Sequence, residues 1–170
     1  MFQDSFFKTD AEVKEKFFAE LENGAKKHCP CCGRYAQIYK RQINSSMALQ
    51  GIAVLRLGGA TDYVHMSEVL LKVSEILGGG VLGGFEFTKL SYWGLAISKS
   101  PAVDEVKKKT SGMWKLTPDG VLFLKNQLKV KKYALIYDDT VLRFEGKEVG
   151  ITEAFKTHFN YQELMEGIKP

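Results

Sequence analysis

Two tryptophan-marked junctions constrain this chain more than any other feature. In the first, Trp93-Gly94-Leu95, a glycine stands where a helix would end, because glycine enters the left-handed cap without a Cβ penalty. In the second, Trp114-Lys115-Leu116-Thr117-Pro118-Asp119-Gly120, a threonine stands at an N-cap position. The proline after it occupies the first helical position, where its missing N–H is harmless. Between the junctions lie a short apolar run at 95–98, a lysine-bearing segment at 100–110 and a second short run at 112–116. The pattern therefore predicts helix, strand, charged loop, strand, helix.

The residues upstream extend this order. Asn44-Ser45-Ser46 is a cap cluster for a helix over 47–57, with Met47, Ala48, Ile52 and Leu55 toward a core and Gly58-Gly59 ending it. Residues 63–65 read as a short extended piece. Ser67 is expected to cap a second helix over 68–77, with Val69, Leu70 and Val73 inward. Gly78-Gly79-Gly80 and Gly83-Gly84 raise the question of a phosphate cradle. A P-loop needs Lys-Ser/Thr after its last glycine, and Phe85-Glu86 stands there instead, so the run reads as a turn. A third helix is predicted over 85–93, with Phe87, Leu90 and Trp93 inward and Thr88, Lys89, Ser91 and Tyr92 outward.

The ends differ in character. Thr9-Asp10-Ala11-Glu12 has the form of a capping box, followed by Val13, Phe17, Phe18 and Leu21 at helical spacing and an Asn23-Gly24 stop. Residues 35–43 predict a strand. Runs at 133–137 and 141–144 flank Asp138-Asp139-Thr140, a hairpin signature, and Thr152 and Asn160 are expected to cap two short helices. The expected fold class is α+β. An N-terminal helix and cysteine knuckle would occupy 1–43, the central domain 44–128, and a hairpin with helical tail 129–170.

Hydrophobic residues make up 45% of the chain and charged residues 26%, which supplies a core and argues against disorder. No apolar run reaches the ~18 residues of a membrane span. The first residues include acidic ones and no uninterrupted apolar stretch, so a signal peptide is not expected and a cytoplasmic location is. A net charge of +4 permits nucleic-acid binding without demanding it. The chain has no nucleophile elbow, H-E-x-x-H or P-loop, its three histidines are scattered, and a hairpin turn accounts for Asp138-Asp139. An enzyme is not expected.

All three cysteines lie in His28-Cys29-Pro30-Cys31-Cys32-Gly33. Cys29 and Cys32 have the C-x-x-C spacing that lets two thiolates grip one tetrahedral zinc, with Gly33 closing the turn so that backbone amides face the sulfurs. The second C-x-x-C of a zinc ribbon is absent. A closed structural site would draw its other ligands from His28, Cys31, His65, His158 or a carboxylate, and His65 is the favoured candidate beside Cys31. A turn without metal and a redox dithiol remain alternatives, the latter lacking its usual βαβ context.

The order of elements and the two tryptophan junctions resemble the winged helix-turn-helix superfamily over about half the chain. With its Cys-Pro-x-Cys-Gly knuckle and hairpin tail, the whole chain resembles proteins of phages and other mobile elements. The resemblance implies a DNA-binding regulator or accessory factor, with structural zinc and double-stranded DNA as its partners. Thr88, Lys89, Ser91 and Tyr92 would face DNA from the third helix, and Lys107, Lys108, Lys109 and Thr110 would form the wing. The candidate recognition helix departs from the pattern: it holds Glu86, one lysine and no arginine, so the bidentate arginine–guanine contact is missing. A protein-binding module on the same scaffold is the alternative, with Phe2, Phe6 and Phe7 as a sticky patch. The first helix could also serve a homodimer.

Overall fold

The computed structural model describes residues 10–80, 84–99 and 112–166. Its elements run α1 (Asp10–Glu22), β1 (Lys27–His28), β2 (Tyr35–Ala36), β3 (Tyr39–Gln42), α2 (Ser45–Arg56), β4 (Val64–His65) and α3 (Met66–Ile76). A 3-10 helix, Glu86–Trp93, follows, then β5 (Ala96–Ser98), β6 (Met113–Leu116) and α4 (Pro118–Leu124). The tail adds β7 (Val130–Tyr137), β8 (Thr140–Val149), α5 (Ile151–Phe155) and α6 (Tyr161–Met165). The fold is α+β, with antiparallel pairing in each described sheet. No helix among the described residues is long and apolar enough to cross a membrane.

Helix α2 is the centre of the core. Its predicted cap forms: the Asn44 side chain accepts the Met47 N–H at 2.9 Å. Every position from Met47 to Val54 is buried. A helix that is apolar round its circumference must be covered on all sides, and α3, the 3-10 helix, β6, α4 and α5 supply the cover. The sequence pattern assigns only one face of α2 to the core. The other face is buried because the tail returns to it, placing Ile151, Ala154 and Phe155 in the same cluster as Leu49 and Ile52.

Helix α3 starts at Met66, two residues earlier than predicted. His65, not Ser67, is its N-cap, with Nδ1 accepting the Ser67 N–H at 3.2 Å. The sheet β4-β6-β5 pairs Val64 with Trp114 and Ala96 with Leu116. The two tryptophan junctions meet directly. Thr117 Oγ1 accepts the Gly120 N–H at 3.0 Å and donates to the Gly94 carbonyl at 2.6 Å. Gly120 is needed for a close approach: a Cβ there would lie 2.0 Å from the Leu95 carbonyl oxygen.

The predicted strand over 35–43 divides in two. Tyr35–Ala36 pairs with β1, while Tyr39–Gln42 pairs with β7 in the sheet β3-β7-β8. The hairpin turns at Asp138 and Asp139, with φ of 47° and 57°. Two consecutive left-handed residues are what a type I′ connection requires. Thr152 lies inside α5 and not at its cap; Gly150 takes that place, its N–H donated to Glu153 Oε2 at 2.9 Å. Asn160 caps α6 as predicted, accepting the Gln162 N–H at 3.0 Å. Helix α6 is tied to the core at both of its ends: Arg56 donates to the Leu164 carbonyl at 2.7 Å, and the Tyr161 hydroxyl donates to the Leu124 carbonyl at 2.9 Å.

Helix α1 makes a smaller cluster of its own. Phe17 and Leu21 pack with Ala36 against Cys29, Ile38 and Tyr137, and Phe18 meets the Tyr137 ring edge-on at 4.9 Å. Thr9, the first member of the predicted capping box, lies outside the described residues.

Candidate nucleic-acid interface and cysteine knuckle

The third helix places Phe87 and Leu90 fully inside, as its pattern predicts. Its winding differs from an α-helix. At three residues per turn, positions i and i+3 eclipse, and runs beyond three or four residues need outside support. Two long-range bonds supply it. The Phe87 N–H, left without a local cap, is donated to Gln50 Oε1 at 2.8 Å. At the other end, the Trp93 indole N–H is donated to the Lys131 carbonyl of β7 at 2.7 Å.

The eclipsed rows set what the outward residues can do. Lys89 falls over Glu86 and pairs with it. Thr88 Oγ1 donates to the Phe85 carbonyl at 2.8 Å, and Ser91 Oγ to the Thr88 carbonyl at 2.7 Å. The Tyr92 hydroxyl donates to Asp139 Oδ1 at the hairpin tip, 3.3 Å away. Burial, then the Asp139 charge, holds the Tyr92 phenol above its ordinary pKa, with Arg41 opposing. The helix thus brings Thr88, Lys89, Ser91 and Tyr92 together on one element, each with an internal partner. Two carboxylates at the hairpin tip stand beside its C-terminal end. This contact of the third helix with the tail has no signal in local sequence pattern, because its partners, Lys131 and Asp139, lie 38 and 47 residues away in sequence.

Strands β5 and β6 form the base of the expected wing: Ile97 pairs with Lys115, and Lys99 donates its backbone N–H to the Met113 carbonyl at 2.9 Å. The wing residues Lys107, Lys108, Lys109 and Thr110 lie outside the described residues.

The cysteine knuckle forms the turn that its sequence predicts. β1 and β2 pair with His28 opposite Tyr35, Cys29 donates its N–H to the Arg34 carbonyl at 2.7 Å, and Gly33 donates to the Cys29 carbonyl at 2.8 Å. Gly33 sits at φ 70°, the left-handed geometry that closes such a turn. The backbone N–H groups of Cys31 and Cys32 reach the Cys29 sulfur and hold its pKa below the usual thiol range. Cys29 is half-buried, Cys32 is exposed, and the two are not joined in a disulfide.

Among the described residues, the ligands expected to complete a zinc site are not assembled. His65 belongs to the β4-β6-β5 sheet, where Nδ1 is engaged by the Ser67 N–H and lies 2.6 Å from the Ser67 hydroxyl. The knuckle packs instead with α1 and Tyr137. His28 Nδ1 is held 2.9 Å from the Gly33 carbonyl. Among the described residues no group of three or more His, Cys, Asp or Glu is arranged to hold a metal ion. Cys29 and Cys32 thus share one turn, with no third ligand beside them among the described residues.

Beside the knuckle is a cleft of about 400 Å³, bounded by Cys29, Cys32, Arg34, Arg41, Tyr92 and the hairpin-tip aspartates. The chain matches no protein-family model, no curated protein and no solved structure.

Proposed function

We propose that residues 44–128 form a winged helix and that the protein grips duplex DNA through its wing, as a regulator or accessory factor of a phage or mobile element. The observation that carries this reading is the order α2, β4, α3, 3-10 helix, β5, β6, α4, with β4, β6 and β5 in one antiparallel sheet and the lysine segment linking paired strands β5 and β6 in sequence. A cluster of Lys107, Lys108 and Lys109 at such a place neutralises phosphates without reading sequence. The third helix contributes position and not base readout. Its one lysine is paired with Glu86, its hydroxyls are bonded to backbone carbonyls, and it offers no arginine to guanine.

The test is a comparison of affinities for unrelated duplexes of equal length at one salt concentration. Backbone binding predicts dissociation constants within a few-fold of one another. A preference of a thousandfold or more for one sequence would overturn the account of the third helix, since that is the ratio at which specific recognition begins.

The protein-binding alternative draws on a different observation. Strand β8 is an edge of its sheet and exposes Leu142 and Phe144. An edge with apolar side chains is a template for an added strand. Absence of DNA binding at low salt would favour that reading.

A further inference from the structure

The cleft beside the knuckle, about 400 Å³ in volume, falls within the roughly 300–1,000 Å³ of small-ligand sites. Its wall carries charges of both signs. Arg34 and Arg41 border it, and so do Asp138 and Asp139 at the hairpin tip. Among the described residues, none of these four is in an ion pair. Two carboxylates do not suit a site for a bare anion, and two guanidiniums do not suit one for a cation. A ligand with an anion at one end and N–H donors at the other satisfies both. We propose that this cleft binds a nucleotide unit with an amino-bearing base, guanine above all, its phosphate on the arginines and its base edge on the hairpin-tip aspartates.

Strand register sets the two ends apart. Tyr39 and Arg41 are two residues apart on β3, so their side chains share one face of the sheet. Tyr39 pairs with Ile136 and Arg41 with Ala134, and the chain runs on from β7 into the tip at Asp138. From the backbone position of Arg41 to that of Asp138 is therefore about 13 Å along the strand, with Tyr39 between. A phosphate and a base edge are set apart in this way by a sugar, whereas the ammonium and carboxylate of an amino acid share one carbon. Tyr39 is 44% exposed and offers a ring on which a base stacks. Arg41 Cζ stands 5.6 Å from that ring's centroid, which holds the guanidinium in place with its charge uncancelled. Its paired N–H donors match phosphate oxygens.

The third helix holds the acidic end in position. The Tyr92 hydroxyl donates to Asp139 Oδ1 at 3.3 Å and ties the tip to that helix. A carboxylate only accepts hydrogen bonds. Guanine presents two neighbouring N–H donors, one on the ring and one on the amino group, which match the two oxygens of a carboxylate. Uracil presents a single ring N–H between two carbonyls, which a carboxylate repels. The wing takes no part in this site, so the proposal and the DNA reading stand or fall separately.

Isothermal titration calorimetry of the full chain with guanosine monophosphate is the test. The expected result is one ligand per chain. Guanosine, inorganic phosphate and uridine monophosphate should each bind at least about tenfold more weakly, since each lacks one of the charge-assisted contacts. Arg41→Gln should weaken the guanine nucleotide by roughly tenfold and leave guanosine unchanged. Asp138→Asn keeps the turn, because asparagine enters the left-handed region readily, and should narrow the margin over uridine monophosphate. Circular dichroism verifies the fold of both variants. A guanine-bearing single-stranded pentamer identifies the source of the unit: displacement of the mononucleotide assigns it to a strand, and no displacement assigns it to a free nucleotide. No saturable binding of guanosine monophosphate, phosphate alone bound as tightly, or binding unmoved by both variants would each overturn the proposal.

Discussion

Gln50, buried in the middle of α2, receives the backbone N–H of Phe87 on its Oε1 at 2.8 Å. Its Nε2 donates to the Gly84 carbonyl at 2.9 Å, so one side chain fixes the entry to the 3-10 helix. Replacing it with the similar-sized Gln50→Met leaves the Phe87 amide without a partner in the interior. The expected loss is about 2–3 kcal/mol, the desolvation penalty of an orphaned buried donor added to the lost bond. Urea unfolding measures it, as a lower midpoint at unchanged slope.

Gly120 gives a case where two effects compete. Alanine is favoured over glycine inside a helix by about 1 kcal/mol. At this position the added Cβ meets the Leu95 carbonyl at 2.0 Å, and that neighbour is backbone, which cannot rotate away. Sterics win, and Gly120→Ala is expected to destabilise by more than about 2 kcal/mol, in the range of overpacked sites. Thermal unfolding decides the sign.

The bond from Trp93 to the Lys131 carbonyl couples the third helix to the tail sheet. Trp93→Phe keeps an aromatic ring and removes the donor, for an expected loss of about 1 kcal/mol. Its signature is local. Amide hydrogen exchange should quicken along β7 more than in α2.

Glu153 links pH to the tail. The Gly150 N–H, and after it Lys147 and Lys129, hold its pKa below the ordinary 4.5. A carboxylate with a depressed folded pKa stabilises above the unfolded value, and that contribution is lost as pH falls through the folded one. Stability should therefore decline as pH drops below about 4.5. Glu153→Gln should show a shallower decline over the same window, measured by urea midpoints at stepped pH.

Much of the fold was legible because its signals are local. Asn44, Thr117 and Asn160 each cap the helix that their chemistry announces, and Asp138-Asp139 makes the predicted turn. What local pattern missed depends on distant chain. Tyr39 pairs with Ile136, and Trp93 reaches Lys131, contacts that no window of neighbouring residues encodes. Phe87, Leu90 and Trp93 follow a spacing of three, which fits a 3-10 winding better than 3.6, and the distant Gln50 and Lys131 bonds brace that winding. At the candidate sites, the turn around Cys29 followed from Gly33. His65 did not join it, because it pairs with Met113 in the β4-β6-β5 sheet while the knuckle packs with α1 and Tyr137.

The central claim is that the wing lysines clamp DNA phosphates. The most direct measurement is fluorescence anisotropy of a random-sequence duplex across a salt series, for the wild-type protein and a Lys107→Ala, Lys108→Ala, Lys109→Ala variant. Each neutralised phosphate contributes about 0.9 to the slope of log K against log salt. The account predicts steep wild-type binding, with the variant losing affinity and up to about 2.7 of slope. A wild-type protein that does not bind at low salt, or a variant whose slope is unchanged, would contradict it.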